Sequence, residues 1–544
     1  MIDKKIIDRL FPFRKNNGLP SYRKNQREAT IKILTCLIEQ GYSTAFLDCS
    51  VGFGKSAVLV TIGRYIDEVY DSNSYYSTPY KVLQDQLKKD HREIPHIKGR
   101  SNYMCLNDRE VSCEDGACQI RLSGKFDCKF RDNCKYLRAK ERSSSAPLCC
   151  TNVSYLMSLK KTINNRSLFG NRDLLIVDEA HSMPEWSVNF ASVSIYETKN
   201  ISIPNYRSNF YKYVEWVKDD VLSNLKESKH NAVVEMMINK SNKSVFLSKL
   251  NKYKWIKKTI RDIKSMVNDY ETNNEDWVYD IVKTSRSRKI TFQPLKGERF
   301  LNNLLWKYGS KKILSSATID PTSYINEGGL QSIEFDRKDC VFTAPSEFDP
   351  KNCPIYYKPL GKLTMDQKEY TFPKVIAEMN LDINKRKDRK GLIHTYSYAN
   401  AEYIVDNIDP KLRPLLFVQD RDNREGSLKE WMNSTDPSVF VSTNMTEGLD
   451  LSNDLCRYQI YVKIGFPHTQ NSRVSKRLSL GHWDWYYSQP IIDIQQASGR
   501  DVRNKNDWSE MIIYDSSFET ILSRYRHKLK PWFLKRIVRV HETK

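Results

Sequence analysis

One junction near the N-terminus constrains this chain more than any other. The apolar run Ala45-Phe46-Leu47 leads into Asp48-Cys49-Ser50-Val51-Gly52-Phe53-Gly54-Lys55-Ser56, and an apolar stretch starts at Ala57. A short apolar run reads as a buried strand and the longer one as a helix, so the segment is a strand, a glycine loop and a helix. Gly52 and Gly54 let backbone N–H groups approach a phosphate chain without side-chain obstruction. Lys55 adds a point charge for β/γ-phosphates and Ser56 a hydroxyl for Mg²⁺, while the helix N-terminus adds its dipole. The pattern G-x-x-x-x-G-K-[ST] is met except at its first position, Cys49. A chain built on such a junction is α/β, with parallel strands and its site at their C-terminal ends.

A second junction has the same form. Leu174-Leu175-Ile176-Val177 runs directly into Asp178-Glu179-Ala180-His181. An aspartate at the end of a buried strand can hold Mg²⁺, and the next glutamate can orient and deprotonate an attacking water. Far downstream, Gln496, Arg500 and Arg503 stand at i, i+4 and i+7, which a helix would align on one face. Two guanidinium groups there would neutralise charge developing on a γ-phosphate.

At 544 residues the chain is too long for one core, so several domains are expected. From about 330 a second α/β pattern begins, with strand candidates Gly391–His394, Val439–Val441 and Met511–Tyr514. Phe246, Leu250, Tyr253, Ile256, Ile260, Ile263 and Val267 step by three or four, which predicts one long amphipathic helix inside a helical insertion. The expected division is a first lobe over 1–99, 151–185 and 291–329, a cysteine-rich insert over 100–150, a helical insert over 186–290, and a second lobe over 330–544. No long apolar span and no apolar N-terminal stretch occur, which argues against secretion and membrane insertion and for a cytoplasmic chain, bacterial or viral in a host cell, with the nucleus left open.

A net charge of +21 suits polyanionic partners. The stretch from Arg524 to Lys544 interleaves eight Lys/Arg residues with Tyr525, Trp532 and Phe533, and Trp483-Asp484-Trp485-Tyr486-Tyr487 is a second aromatic concentration. Both combine features of a backbone-tracking surface, and both are also compatible with packing beneath a solvated basic face. Five of the twelve cysteines, Cys105, Cys113, Cys118, Cys128 and Cys134, fall within thirty residues. Without a secretory signal this density reads as metal ligation or reactive thiols; four thiolates could hold either a [4Fe–4S] cluster or tetrahedral zinc, and spacing alone does not separate the two. Cys149-Cys150 lies in an apolar run and reads as core.

Taken in order, these motifs resemble the superfamily 2 helicases of the XPD/DinG type. Tyr22-Arg23 with Gln26 resembles an adenine-recognising motif, Ser77-Thr78-Pro79 with Leu83 and Gln86 the motif after the phosphate loop, and Ser315-Ser316-Ala317-Thr318 the S-A-T coupling motif. His394-Thr395-Tyr396-Ser397, Thr446-Glu447-Gly448-Leu449-Asp450 and Gln496 to Arg503 resemble the motifs of the second lobe. Gly99 to Cys105 and Cys134-Lys135-Tyr136 resemble that family's iron–sulfur insert.

The resemblance implies two RecA-like domains with ATP and Mg²⁺ between them, an iron–sulfur insert and an arch-like helical insert. It implies ATP-dependent 5′→3′ unwinding of DNA, with single-stranded and forked DNA as partners and RNA as a further ligand. Translocation without strand separation, and non-catalytic nucleic-acid binding, are the alternatives. The expected catalytic set is Lys55, Asp178, Glu179, Gln496, Arg500 and Arg503. ATP is expected against Gln26, Gly52, Phe53, Gly54, Lys55, Ser56 and Asp450, and Thr78, Thr318, Thr395 and Thr446 along the coupling elements or the nucleic-acid path. The expected metal ligands are Cys105, Cys118, Cys128 and Cys134, with Cys113 as a substitute for Cys118.

Overall fold

The computed structural model describes the chain except residues 14–20, 120–126, 160–168, 207–208, 240, 284–286, 331–339, 444–450, 452, 500–501, 503–506 and 541–544, together with the side chains of 323, 325, 326 and 425. In chain order the strands are β1 (Thr44–Cys49), β2 (Ser74–Thr78), β3 (His96–Ile97), β4 (Leu148–Asn152), β5 (Arg172–Asp178), β6 (Val193–Tyr196), β7 (Trp277–Lys283), β8 (Arg288–Pro294), β9 (Gly309–Ser316) and β10 (Val341–Ala344). The second lobe continues with β11 (Ile355–Gly361), β12 (Gly391–His394), β13 (Leu416–Val418), β14 (Val439–Ser442), β15 (Tyr458–Tyr461), β16 (Glu510–Asp515) and β17 (Ile537–Arg539).

Two seven-stranded parallel sheets organise the molecule, ordered β10-β1-β9-β5-β2-β4-β3 and β13-β14-β12-β15-β16-β11-β17. Parallel strands covered by helices on both faces read as continuous apolar runs. In β5, Leu174 to Val177 are all fully buried. Each sheet separates two apolar clusters, one holding Ala45, Leu47 and Ile176 and the other Phe46, Leu175 and Val177 in the first lobe. The helix Lys55–Tyr70 buries nine residues against that sheet and ends on Asp71, whose φ of +49° stops it.

The long helix runs from Lys243 to Thr272, capped by Asn242, as the apolar spacing predicts. Its insertion is not purely helical, because β6, β8 and β7 form an antiparallel sheet whose strand β8 continues past 290 to Pro294. Two other expected boundaries also move. β10 pairs with β1 through Phe46 and Val341, so the first sheet extends beyond residue 329 and uses the apolar run Val341–Ala344 to cover the edge of β1. β4 lies inside the first sheet between β2 and β3, so the cysteine-rich insert ends before Leu148. Cys149 and Cys150 are fully buried there, which is the core role read for them. Arg172 at the start of β5 donates to the carbonyls of Ser74, Ser143, Ala146 and Pro147, tying the helix that leaves the insert, Lys135–Ser145, to the strand that ends in Asp178.

Candidate nucleotide site and lobe interface

Gly52 and Gly54 both sit at φ +82°, the left-handed region that glycine enters without strain. A Cβ at Gly52 would also strike the ring of Phe348, and one at Gly54 the amide of Gln26, so neither position tolerates a side chain. Lys55 opens the helix, and its Nζ rests 3.3 Å from the Cys49 carbonyl. Gln26 is fully buried and donates to the Phe53 carbonyl at 2.8 Å, while its Oε1 accepts the Arg23 N–H at 2.8 Å. Its amide therefore shapes the phosphate loop from beneath. Arg23 in turn donates to the Gly52 carbonyl.

At the ends of the neighbouring strands, register sets Asp178 beside Ser315 and Asp48 beside Ser316. The Tyr76 hydroxyl donates to Asp178 Oδ2 at 2.8 Å and also meets the Ser56 side chain, so the two expected Mg²⁺ ligands flank one phenol. Burial, and then the neighbouring Glu179, push the Asp178 carboxyl above its usual range against the pull of Lys55. A cation supplied to such a group relieves both effects. Glu179 holds φ +52°, a backbone state that costs a non-glycine residue roughly 1–3 kcal/mol and recurs at functional positions. Tyr76 carried no sequence signal, being one aromatic residue inside a buried strand.

From Glu179 a chain of polar contacts crosses to the second lobe. Glu179 Oε2 lies 3.2 Å from His181 Nδ1, which lies 2.7 Å from Ser316 Oγ. Ser316 Oγ accepts the Thr318 N–H at 3.2 Å, and Thr318 Oγ1 accepts from Gln496 Nε2 at 2.8 Å. Gln496 is the next-to-last residue of the helix Trp483–Ala497, and the expected alignment of Gln496 with Arg500 and Arg503 falls on residues outside the described ones. Just past the helix the chain passes the phosphate loop closely, where a Cβ on Gly499 would meet Val51 at 2.6 Å. Arg500, Arg503, Thr446 and Asp450 lie outside the described residues. Thr78 is buried at the end of β2, and the Thr395 hydroxyl donates within its own lobe, to the Ser442 carbonyl at 3.1 Å and to that of Ser397 at 3.2 Å.

A second seam lies away from the phosphate loop. Arg473 forms a two-pronged ion pair with Glu185 at 2.7 and 2.9 Å, Trp485 Nε1 donates to the same carboxylate at 3.0 Å, and fully buried Arg477 pairs with Glu327. Burial would raise the Glu185 carboxyl, but Arg473 outweighs it and holds the group below its usual range. Both arginines also lie over the Trp485 ring. Trp485 therefore packs between lobes, whereas Trp483 stays half exposed.

Residues 381–536 match the family of helicase C-terminal domains. A solved structure titled XPD_Helicase superposes with a TM-score of 0.61 over 96% of this chain and all of that chain, at 15% identity. The chain shares the fold of that XPD helicase structure, and its residues 381–536 are similar to helicase C-terminal domains. The structure of S. tokodaii Xpd4 matches with a TM-score of 0.55 at 12% identity, covering 95% of this chain and 100% of that one. ATP-dependent DNA helicase CHL1 of Vanderwaltozyma polyspora is 20% identical over 491 residues, 74% of this chain, and the chain spans 58% of that relative's length. Fanconi anemia group J protein homolog of Gallus gallus is 28% identical over 109 residues, 18% of this chain and 9% of that protein.

All five clustered cysteines line one cavity of about 840 Å³. Cys105 and Cys113 are buried, and Cys113 Sγ lies 4.0 Å from Cys134 Sγ, so the residue read as the spare is at the centre of the group. Among the described residues no three donors converge on a single ion position. Arg100, Arg131, Arg138 and Lys140 share the lining and would offset thiolate charge. Asp127, Asp132 and Glu141 share the lining as well, so the side chains around the cysteines are of mixed charge. Lys243 and Lys254 of the long helix reach this insert at Asp108, Glu110 and Asp115.

The C-terminal stretch is divided: Arg524, Arg526, Lys535 and Arg539 stay exposed, while part of it packs inward. Arg536 is buried and donates to the Ser498 carbonyl at 2.6 Å, Tyr487 stacks on Tyr525 with centroids 4.0 Å apart, and Phe533 is fully buried. Among the described residues no helix is long and apolar enough to cross a membrane.

Proposed function

We propose that this chain is an ATP-driven DNA helicase that advances 5′→3′ on a single strand and parts duplexes ahead of it. The reading is carried by the chain of polar contacts from Glu179 through His181, Ser316 and Thr318 to Gln496, which joins the acidic box of one lobe to the end of a helix of the other. Lys55 and the backbone around Gly52, Phe53 and Gly54 grip the phosphates of ATP, Ser56 and Asp178 hold Mg²⁺, and Glu179 activates water. Gln496, Arg500 and Arg503 complete the site from the second lobe, with Gln26 and Asp450 supporting the nucleotide. Closure on ATP and reopening after hydrolysis then ratchet the strand past Thr78, Thr318, Thr395 and Thr446.

Four of the five thiolates, with Cys105, Cys128 and Cys134 among them, hold a [4Fe–4S] cluster. When bound, the cluster ties distant points of the insert loop into one rigid body. Sequence-independent binding inside the cell is expected, since charge and exposed rings such as Trp483 track a backbone without reading bases.

Duplexes with a single 5′ or 3′ overhang test the proposal. ATP should drive displacement from the 5′ overhang only, and both Lys55→Ala and Glu179→Gln should abolish it together with DNA-stimulated hydrolysis. Hydrolysis and strand movement with neither duplex opened would replace unwinding by translocation, and full activity in either variant would overturn the site.

A further inference from the structure

Beyond the motif residues, one side chain of the second lobe reaches into the first at a place that the nucleotide chemistry leaves unexplained. Lys530 Nζ lies 2.6 Å from Asp48 Oδ2 and 2.6 Å from the Ile319 carbonyl. Asp48 is the next-to-last residue of β1, the strand that feeds the phosphate loop, and Ile319 directly follows Thr318. The Lys530 backbone N–H is itself held by Gln495 Oε1 at 2.6 Å, one residue from the Gln496 that reaches Thr318. The ammonium is 15% exposed and the carboxylate 10%, so the pair is shielded on both sides.

A shielded carboxylate at this point has two cations within electrostatic reach, Lys530 from across the cleft and Lys55 from the loop beside it. Separating the lobes removes only the first. Asp48 is then left facing Lys55, the group meant for nucleotide phosphate, and a fixed carboxylate competes with an incoming anion for the same charge.

We propose that Lys530 is a positioning residue that couples lobe closure to the phosphate loop: closed, it neutralises Asp48 and leaves Lys55 to the nucleotide, and open, it returns Asp48 to Lys55. This rests on the ATPase reading above. On this account the loop's hold on the nucleotide is set in part from the other lobe, which also explains why the chain after the last motif folds back to bring Lys530 to the cleft.

The test uses the full chain and four variants: Lys530→Met, Lys530→Arg, Asp48→Asn, and the double variant Asp48→Asn with Lys530→Met. Affinity for the fluorescent analogue mant-ATP and the KM and kcat of DNA-stimulated hydrolysis are measured for each. Lys530→Met should weaken mant-ATP binding on the order of tenfold, the size of a typical coupling between sites, and raise KM in step. Lys530→Arg should retain most of the affinity. The double variant should recover most of the loss, because it removes the competing carboxylate along with its partner. A merely structural role for the pair predicts a loss and recovery of thermal stability with mant-ATP affinity and KM unmoved. A double variant as weak as Lys530→Met, or a Lys530→Met protein that binds like the parent, overturns the proposal. If Lys530→Met does not fold, the charge-balanced double variant decides the matter against Asp48→Asn: the proposal requires the double to bind mant-ATP at least as well. A parent chain that binds mant-ATP without hydrolysing it would refute the ATPase reading, and the binding series would still decide the role of Lys530.

Discussion

Replacing Gln496 by alanine probes the contact on which lobe coupling depends. Its amide is 5% exposed and donates 2.8 Å to Thr318 Oγ1, itself 3% exposed, and among the described contacts the remaining partner of that hydroxyl is Ser316 Oγ at 3.5 Å. Losing one buried neutral hydrogen bond and leaving its acceptor weakly paired costs about 1–2 kcal/mol. Only the closed arrangement contains this bond, so the loss falls on closure, and a closed population reduced roughly 5- to 30-fold lowers turnover by the same factor. DNA-stimulated ATPase at saturating ATP is the assay, because saturation takes any change in nucleotide affinity out of the comparison. A double-mutant cycle with Thr318→Val isolates the pair and should return a coupling of about 1 kcal/mol. Unchanged turnover in Gln496→Ala, or strictly additive effects, would refute the claim that this bond carries closure.

With the proposed cluster in the cysteine cavity, the anaerobically purified chain should be brown, with about four irons and four sulfides per molecule, and Cys134→Ser should lose both the colour and the iron. A colourless, zinc-containing parent would replace the cluster with a single metal ion. Burial lowers the His96 imidazole from 6.5 to about 4. The unfolded chain therefore binds the extra proton first as the pH falls, and the stability held by neutral His96 is complete above pH 6.5 and lost on the way down to about 4. Thermal melting midpoints should drop across that window, and a His96→Gln variant should flatten this part of the profile; an unaltered slope would show that His96 contributes nothing to it.

The parts of the site legible in the sequence were those set by local chemistry. Gly52, Gly54, Lys55, Asp178 and Glu179 sit at strand ends, and a strand's apolar run announces where it ends. The helix Lys243–Thr272 was equally plain, because its period repeats over many turns. Long-range geometry was not written in any short pattern. Tyr76 looks like any buried strand tyrosine until β5 is laid beside β2 and brings Asp178 to its hydroxyl. The close approach of Gly499 to Val51, more than four hundred residues away in sequence, is equally absent from any local pattern. Likewise, the basic C-terminal stretch looked like a surface for polyanions, and the carbonyls and carboxylates that engage Lys530 and Arg536 come from distant segments.

The seam built by Arg473, Arg477 and Trp485 changes how opening of the cleft should be pictured. Two carboxylates, Glu185 and Glu327, and the Leu295 carbonyl hold it, most of it shielded from water. Among the described residues, the contacts that cross near the phosphate loop are fewer and rest on Lys530 and Gln496. Under load, a joint with one strong edge and one weak edge rotates about the strong one. The lobes of this chain would therefore swing like a door hung at the arginine seam, the gap growing with distance from it, so that a small turn there becomes a larger displacement at the far margin of the cleft.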